Sequence, residues 1–368
     1  MKTGRFVGAA LVLCAAVLPV HASPMATAAP TPATASSPAT ASNPSAADAL
    51  YDQADRMFAA GQMDQAVALY HKALDADPAH WKSLCRLGQI QAAARSYPEA
   101  EQSLKAAVAI NPDNGVCQSR LAQVLLIGNK LSEAEAALEK AAQLMPGDEG
   151  VLFNLARLYE NTDRPGPAAD TYSRFLETAP ASERATATRL KVARLYSEIL
   201  QPARAVEPYR RFLEAQPGQL SVRAELATAL MGASRYAEAL EEYDKVISAG
   251  SADATTLSNA GAICMLLQNT PRAIELLGKA VAADPKPVPP RLSLAMVLSQ
   301  SGQDARAVEL LRGVTADDPE NNRAWFLMGQ SLMKLGRVDE ARSAFERHRS
   351  IHDRIMKERV SGRTEGHP

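Results

Sequence analysis

Aromatic side chains are scarce in this chain: Phe, Trp and Tyr make up 5% of the 368 residues, although 46% of the residues are hydrophobic. Alanine and leucine therefore carry the apolar content. These residues favour helices, whereas strands are enriched in aromatic and β-branched residues. The composition predicts an all-α protein whose helices pack closely against one another.

An excess of charge of one sign is also lacking, because 40 basic residues balance 41 acidic residues and leave a formal net charge of -1. Proteins that bind nucleic acid need a clustered positive surface. The charge balance therefore predicts no nucleic acid among the partners.

Motifs that carry chemistry are missing as well. The sequence contains no glycine-rich phosphate loop, no nucleophile elbow and no zinc signature, so neither catalysis nor a cofactor is predicted. His348 and His352 lie four residues apart, a spacing that two metal ligands can have. Arginines surround them and no third ligand is visible, so we interpret this segment as a solvated helix without a metal.

Long hydrophobic runs are confined to the N-terminus. Basic residues precede the apolar segment 6–20, and small residues follow it up to Ala22. This pattern is typical of a secretory signal peptide, so we expect residues 1–22 to be cleaved off near Ala22 and the protein to be periplasmic or secreted. The alternative is a lipid anchor on Cys14, which the bulky leucine before it disfavours.

Residues 23–46 are mostly Ala, Pro, Thr and Ser and include no charged residue. Such a segment cannot bury enough apolar surface to offset the entropy cost of ordering, so it is predicted to be a disordered linker. No later segment is long and apolar enough to cross a bilayer, which predicts no transmembrane span in the mature chain.

The remaining chain contains prolines at a regular spacing. After Pro180 one step measures 37 residues, and Ser251 occupies one proline position, but all other steps measure 34 residues. The prolines are Pro78, Pro112, Pro146, Pro180, Pro217, Pro285 and Pro319. A fixed period of this length indicates a stacked array of structural repeats.

Three further positions repeat in the same register. Twelve residues before each proline position, all nine repeats have alanine: Ala66, Ala100, Ala134, Ala168, Ala205, Ala239, Ala273, Ala307 and Ala341. Twelve residues further upstream, all nine have Ala or Gly: Ala54, Gly88, Ala122, Ala156, Ala193, Ala227, Gly261, Ala295 and Gly329. Four residues after each alanine, all nine have Tyr, Leu or Phe. Small residues let two helices approach, and the large residue fills the space beside that contact.

These positions resemble the tetratricopeptide repeat, whose consensus is visible in repeat nine as Trp325, Met328, Gly329, Leu332, Ala341 and Phe345. The resemblance covers Ala47 to about His352. It implies an α-solenoid, a right-handed superhelix of about nine helix-turn-helix repeats with a concave groove. In such an array each repeat contacts only its neighbours, so an elongated molecule is expected.

The repeat register predicts three parts after the linker. Residues 47–182 form repeats one to four, residues 183–355 form repeats five to nine, and residues 356–368 form the end of a polar cap and the tail. Repeat five has three extra residues, and Phe175 and Phe212 stand where most other repeats have Ala or Val. Either a seam between two blocks or a surface insertion with local repacking accounts for them.

Cysteine is rare too, with Cys85, Cys117 and Cys264 after the signal peptide. An oxidising compartment permits disulfides, and Cys85 and Cys117 lie on the first helices of consecutive repeats at corresponding levels. A bridge between these two residues and a role as small buried apolar residues both stay open.

In the tetratricopeptide family, set positions of the first helix point into the groove. Transferred to this register, they give the predicted groove residues Leu126, Ile127, Phe153, Arg157, Leu190, Arg194, Met231, Met265, Leu266, Leu292, Met296, Phe326 and Met333. Chaperone-binding members of the family grip a C-terminal carboxylate with Lys, Asn and Arg at set positions. That set is missing here, where Tyr51, Asp55 and Cys85 stand instead.

One methionine occupies the groove in each of the last four repeats. Methionine side chains are flexible and polarisable and suit varied partners, although they can equally fill space between helices. The expected function is a non-catalytic scaffold or assembly factor of the bacterial cell envelope that binds other proteins or peptides. The alternatives are an adaptor in polysaccharide export and an accessory subunit that positions an envelope enzyme.

Overall fold

A computed structural model of the protein describes residues 45–364, with side chains as far as Glu358. The predicted signal peptide, and the predicted linker apart from its last two residues, lie outside this range. Every regular element within it is a helix, and from Ala46 onward the chain forms one compact unit. The prediction of an all-α solenoid is confirmed.

The helices form nine pairs, one for each repeat predicted from the sequence. They are α1 Ala46–Ala59, α2 Met63–Ala76, α3 Trp81–Ala93, α4 Tyr97–Ile110, α5 Gly115–Ile127, α6 Leu131–Leu144, α7 Glu149–Asn161, α8 Pro165–Thr178, α9 Ala185–Glu198, α10 Pro202–Ala215, α11 Leu220–Gly232, α12 Tyr236–Ser248, α13 Ala254–Leu266, α14 Thr270–Ala283, α15 Val288–Gln300, α16 Asp304–Asp317, α17 Asn322–Lys334 and α18 Val338–Thr364. The odd-numbered helices are the first helices of the repeats, and the even-numbered helices are the second.

The repeated small residues lie where the two helices of a repeat touch. All nine alanines of the second helices are buried. A Cβ atom added to Gly88 would lie 2.5 Å from Cγ of Leu104, and one added to Gly261 would lie 2.7 Å from Cγ of Leu277. The large residue of each second helix therefore packs against the small residue of the first, as the sequence predicts.

The turn inside every repeat contains one residue with a left-handed backbone, five residues before the conserved alanine. These residues are Gly61, Arg95, Asn129, Asp163, Leu200, Ser234, Gln268, Gly302 and Gly336. In the third repeat the glycine of the turn, Gly128, has a φ of -76°, and the left-handed residue is its neighbour Asn129. The turn geometry is thus the same in all nine repeats, although only three of them use glycine for it.

The three extra residues of repeat five lengthen the turn between α8 and α9, which pack directly against each other. Phe175 and Phe212 are both buried, and one continuous core cluster includes Ala156 before the insertion and Ala344 near the C-terminus. One core cluster therefore continues across the insertion. Helix α10 accommodates Pro208 in its interior without ending.

The stack positions the first helices on its inner side. Helices α3 and α5 contact each other directly, as do α11, α13, α15 and α17 in sequence. Among the helices of residues 45–364, no two second helices make contacts as extensive as these. Surfaces of the first helices therefore face the groove between repeats.

Candidate interaction groove

The predicted groove residues all lie on first helices, from α5 to α17. None of them is fully buried. Side chains that are half-buried include Leu126, Phe153, Leu190, Met231, Met265, Leu292 and Met296, whereas Ile127, Arg157, Arg194, Leu266, Phe326 and Met333 are exposed. The structure thus leaves surface on every one of these side chains, and which of them contact a partner stays a prediction.

The apolar part of the groove is most exposed in repeats seven and nine. Leu266 on α13 is 60% exposed, Met333 on α17 is 49% exposed and Phe326 on α17 is 39% exposed. The Phe326 ring lies 6.2 Å from that of Phe345 and 5.1 Å from that of His348, so its position is fixed by α18. Leu266, Phe326 and Met333 are therefore apolar side chains of first helices that keep a large exposed surface.

The half-buried methionines contact the core as well as the groove. Met231 and Met265 pack against the C-terminal core cluster, and Leu292 does the same. Nη2 of Arg323 approaches Sδ of Met296 at 3.8 Å. Met231, Met265 and Leu292 therefore fill space between helices, and their contact with a partner in the groove stays a prediction.

The two predicted groove arginines differ in their surroundings. Arg194 on α9 is held by Glu225 of α11, with Nη2 and Oε1 2.8 Å apart, and Tyr209 donates a further hydrogen bond to Glu225. Burial raises the pKa of Glu225, but the hydrogen bonds from Arg194 and Tyr209 outweigh it and leave this pKa below its usual value. Arg157 on α7 is exposed, and its place in the groove stays a prediction.

A cavity of about 470 Å³ lies between α9, α10 and α11. Its walls include the predicted groove residue Met231, together with Leu200, Tyr209 and Thr228. Burial raises the pKa of Tyr209 to about 12, so its hydroxyl stays protonated at neutral pH. The cavity is mainly apolar, with Glu225 as its charged residue.

A second cavity, of about 370 Å³, is formed by α1, α3 and α5 at the N-terminal end of the groove. Cys85 and Cys117 form a disulfide in its wall, with their Cα atoms 5.8 Å apart, so the structure selects the bridged alternative. The free Cys264 is buried elsewhere in the core. Three cations, Lys82, Arg86 and Arg120, line this N-terminal cavity.

These three cations are not among the predicted groove residues, because the comparison with chaperone-binding relatives covered only the positions of Tyr51, Asp55 and Cys85. Arg120 lies one residue after the repeat position of Cys85, so it was not considered. A signal was present in the sequence: the residue 31 positions before Arg86 is Asp55, whereas the residue 31 positions before Arg120 is Gln89.

On α18, His348 contacts a backbone carbonyl group and the ring of His352. Nδ1 of His348 lies 3.2 Å from the carbonyl oxygen of Asn322, and the rings of His348 and His352 stack at 6.0 Å. Residues 45–364 contain no cluster of three metal-ligating side chains. Nor does this part of the chain contain a helix with the length and apolar character that a membrane span requires.

Comparison with known proteins gives matches to two tetratricopeptide repeat family models. One matches residues 51–115, 190–254 and 224–287, and the other matches residues 91–140 and 125–191. A model described as anaphase-promoting complex, cyclosome, subunit 3 matches residues 267–348.

Two curated relatives are 28% identical to this chain over part of its length. They are the BBSome complex member BBS4 homolog of Drosophila melanogaster, over 34% of this chain and 28% of the relative, and the cellulose synthase operon protein C of Pseudomonas fluorescens (strain SBW25), over 38% of this chain and 11% of the relative. This chain therefore spans less than a third of the length of either relative.

One solved structure with a TM-score above 0.5 shows the same fold. The structure of Naa15/Naa10 bound to HypK-THB has a TM-score of 0.51 and 17% identity, covering 68% of this chain and 39% of that chain. A tetratricopeptide repeat protein from Parabacteroides merdae has a TM-score of 0.38 and 16% identity, covering 68% of this chain and 98% of that chain. Because the tetratricopeptide repeat matches extend over more than half of the chain and overlapping matches begin 34 residues apart, in step with the helix pairs, the chain belongs to the tetratricopeptide repeat family.

Proposed function

We propose that this protein is a scaffold or assembly factor of the bacterial cell envelope, which holds apolar segments of partner proteins in the groove of repeats six to nine. The tetratricopeptide fold is typically a non-catalytic scaffold for protein–protein interaction. The observation that carries the proposal is the exposed apolar surface of Leu266, Phe326 and Met333 on first helices.

The exposed part of these apolar side chains contributes nothing to folding, but a partner segment would remove it from water. Burial of one such side chain stabilises a complex by about 1.5–3 kcal/mol. A few contacts of this kind support micromolar binding after the cost of association, since a Kd of 1 μM corresponds to about -8.2 kcal/mol. The half-buried edges of Met265 and Met296 extend the same surface without the need to move a helix.

The test uses variants that change the groove without changing the core. In Leu266→Glu combined with Met333→Glu, two exposed apolar residues become charged, so the melting temperature stays close to that of the parent. The matched control is Leu267→Glu, which changes the neighbouring exposed residue at the end of α13, outside the predicted groove positions.

Partners are identified by chemical cross-linking of each variant in the envelope fraction of the producing bacterium, followed by mass spectrometry. We expect polypeptides cross-linked to repeats six to nine in the parent and in Leu267→Glu, and at least a tenfold loss in the double variant, because about 1.4 kcal/mol corresponds to tenfold. Equal capture by the parent and the double variant would show that the groove is not the binding surface.

The proposed location in the cell envelope depends on the predicted signal peptide, residues 1–22, and is tested separately. Mass spectrometry of the protein recovered from the periplasm or medium is expected to find Ser23 at the N-terminus. A lipid-modified Cys14, or an intact Met1 in the cytoplasm, would contradict the location while leaving the groove proposal untouched.

The similarity to cellulose synthase operon protein C favours one second candidate, an adaptor in polysaccharide export. In that case a synthase or an export component should be encoded beside this protein and should co-purify with it. An accessory subunit that positions an envelope enzyme would instead change the activity of that enzyme when added back. A genetic neighbourhood that contains neither type of component favours the general scaffold.

A further inference from the structure

The Cys85–Cys117 disulfide lies beside a positive charge. Nη1 of Arg120 on α5 donates a contact of 3.4 Å to Sγ of Cys85 on α3. Arg120 and both cysteines line the N-terminal cavity of about 370 Å³ defined above by α1, α3 and α5. A guanidinium in this position stabilises a negative charge on Sγ of Cys85, and that charge exists only after the disulfide is reduced.

The guanidinium of Arg120 is half-buried and has no carboxylate partner. Within residues 45–364 it takes part in none of the ion pairs, although a buried charge normally needs a partner. Arg86 occupies the same position one repeat earlier, and its Nε lies 3.0 Å from Oδ1 of Asp55. The residue that corresponds to Asp55 in the next repeat is the neutral Gln89. Arg120 therefore lacks the acid that its counterpart has.

The electrostatic consequence is visible at Arg120. Burial lowers the pKa of its guanidinium, and the positive charge of Arg86 lowers it further, to about 10. Arg120 is therefore protonated at neutral pH, but its surroundings disfavour the charge. A thiolate on Cys85 would supply the missing negative charge, so the reduced state gains an interaction that the disulfide does not have.

The two cysteines differ in exposure and in their neighbours. Cys85 keeps 4% of its surface exposed and Cys117 keeps 1%, so Cys85 is the more accessible of the two. Cys117 lies in the first turn of α5, where the helix N-terminus supplies a partial positive charge of about half a unit. The full charge of Arg120 in contact with Cys85 is larger. Both comparisons favour Cys85 as the sulfur that exchanges.

We propose that Cys85 and Cys117 form a reversible thiol–disulfide exchange site for low-molecular-weight thiols and their disulfides, with Cys85 as the exchanging residue and Arg120 as the cation that stabilises its thiolate. The cavity volume of about 370 Å³ exceeds that of a thiol group with its methylene stem. This inference goes beyond the scaffold function and does not depend on the apolar surface of repeats six to nine.

The exchange is balanced in two steps. In the oxidising direction, the thiolate of Cys85 attacks one sulfur of a small disulfide, a mixed disulfide forms on Cys85, and the first small thiolate leaves. Cys117 then gives its proton to water and attacks Sγ of Cys85, so that the protein disulfide forms and the second small thiolate leaves. The two cysteines lose two electrons and the small disulfide gains them. Reduction by two small thiols is the same sequence in reverse.

The redox state of the site changes the connection between two repeats. The disulfide ties α3 to α5, the first helices of repeats two and three. After reduction only non-covalent packing holds these helices together. A small thiol in the surroundings of the protein would therefore control how firmly the N-terminal first helices are fixed to each other.

The first test measures the equilibrium. The full chain is incubated with mixtures of reduced and oxidised glutathione, free thiols are alkylated, and peptide mass spectrometry reports each cysteine separately. Arg120→Gln should lower the equilibrium constant for reduction by at least tenfold, which corresponds to about 30 mV for a two-electron couple. Arg120→Lys keeps the charge and should restore part of this loss, whereas Arg157→Gln, at an exposed arginine of α7, should have no effect.

A second variant leaves Arg120 in place. Gln89→Glu supplies the carboxylate that the repeat register lacks, so Arg120 gains a partner and stabilises the Cys85 thiolate less. The equilibrium constant for reduction should therefore fall in this variant too. Circular dichroism monitors folding, and if Arg120→Gln unfolds, Gln89→Glu decides.

The second test compares the rates of the single cysteines. Cys117→Ser leaves Cys85 as a free thiol, and Cys85→Ser leaves Cys117. Cys85 should react with oxidised glutathione at least tenfold faster than Cys117 does. Cys264 serves as the internal standard, because it is buried and burial raises the pKa of its thiol, so it should stay unmodified.

Three results would overturn the inference: an unchanged equilibrium constant in folded Arg120→Gln or in Gln89→Glu, a faster reaction of Cys117 than of Cys85, or a reaction of Cys85 no faster than that of Cys264. All these measurements use the purified protein without a partner. Failure of this inference is therefore distinguishable from failure of the proposed scaffold function.

Discussion

Ala134 of α6 illustrates what a single repeated residue contributes. Its side chain has no exposed surface, whereas Ala136, two residues later on the same helix, is exposed. We expect Ala134→Leu to destabilise the protein by about 1–3 kcal/mol, because extra methylenes in a packed contact force neighbours apart. Ala136→Leu should change stability by less than about 0.5 kcal/mol. Urea denaturation followed by circular dichroism measures both, and equal midpoints would refute the assigned helix contact.

The carboxyl group of Glu242 is expected to make the free energy of unfolding depend on pH. Burial raises its pKa, but hydrogen bonds from Lys245 and Arg223 outweigh burial and leave the pKa below the usual value. Oε2 of Glu242 lies 2.6 Å from Nη1 of Arg223, and both side chains are only 16% exposed. A carboxylate whose pKa is depressed in the folded state stabilises that state above the unfolded pKa of about 4.3, and this contribution disappears as the pH falls through the folded pKa.

We therefore expect Glu242→Gln to be less stable than the parent at pH 7, with the difference shrinking between about pH 5 and pH 3. Urea midpoints measured across this range provide the check. Asp339→Asn serves as the control, because the Asp339 side chain is 98% exposed and a surface pair contributes little. A difference between parent and Glu242→Gln that stays constant down to pH 3 would contradict the assignment.

The sequence was sufficient to predict residues whose packing is the same in every repeat. It was not sufficient for residues whose role depends on one particular neighbouring side chain. Identical spacing of Ala134 and its counterparts was sufficient to infer the contact between helices. Whether Arg120 forms an ion pair was not predictable in this way, because that depends on whether a neighbouring repeat supplies an acid at hydrogen-bonding distance. The left-handed residues also escaped prediction, since Arg95 and Leu200 are not residue types that favour this conformation.

At the scale of helices, the disulfide joins α3 to α5 across a sequence separation of 32 residues. The chain-entropy relation gives about 3–4 kcal/mol for a closed loop of this size. Reduction should therefore increase hydrogen exchange in residues 81–127 while leaving α11 to α17 unaffected, since repeats couple mainly to their neighbours. A protein with serine at both positions should show no response to reductant. Unchanged exchange in residues 81–127 would argue against the bridge.

The helix pairs followed from the sequence because the repeated small residues agree in all nine repeats and the regular proline is present in seven of them. Pro98, Pro165, Pro202 and Pro271 all lie in the first turn of a second helix, where proline is tolerated. The bridge between Cys85 and Cys117 stayed open because spacing along the chain does not give the distance between two helices. Only the packing of α3 on α5 brings their Cα atoms within disulfide range.

Across the whole array, buried apolar surface is distributed unevenly. The first repeat belongs to a small core cluster of Ala54, Ala66, Tyr70 and Leu87, whereas the largest cluster runs from Ala156 to Ala344. We expect α1 and α2 to exchange amide hydrogens first and the helices of repeats five to seven to exchange last. Hydrogen exchange with mass spectrometry gives this order directly. Earlier exchange in the central repeats would show that these clusters do not set local stability.

Left-handed turn residues other than glycine lower the stability of the folded protein. Six of the nine are not glycine, and a left-handed backbone costs such residues roughly 1–2 kcal/mol. Glycine would remove this cost but lose roughly 0.4–1 kcal/mol through the unfolded chain. The balance favours substitution most at Leu200, whose side chain is 86% exposed. Because separate sites add, evolution or a protein engineer can raise the heat resistance of this protein stepwise, one turn at a time, without altering a residue of the groove helices.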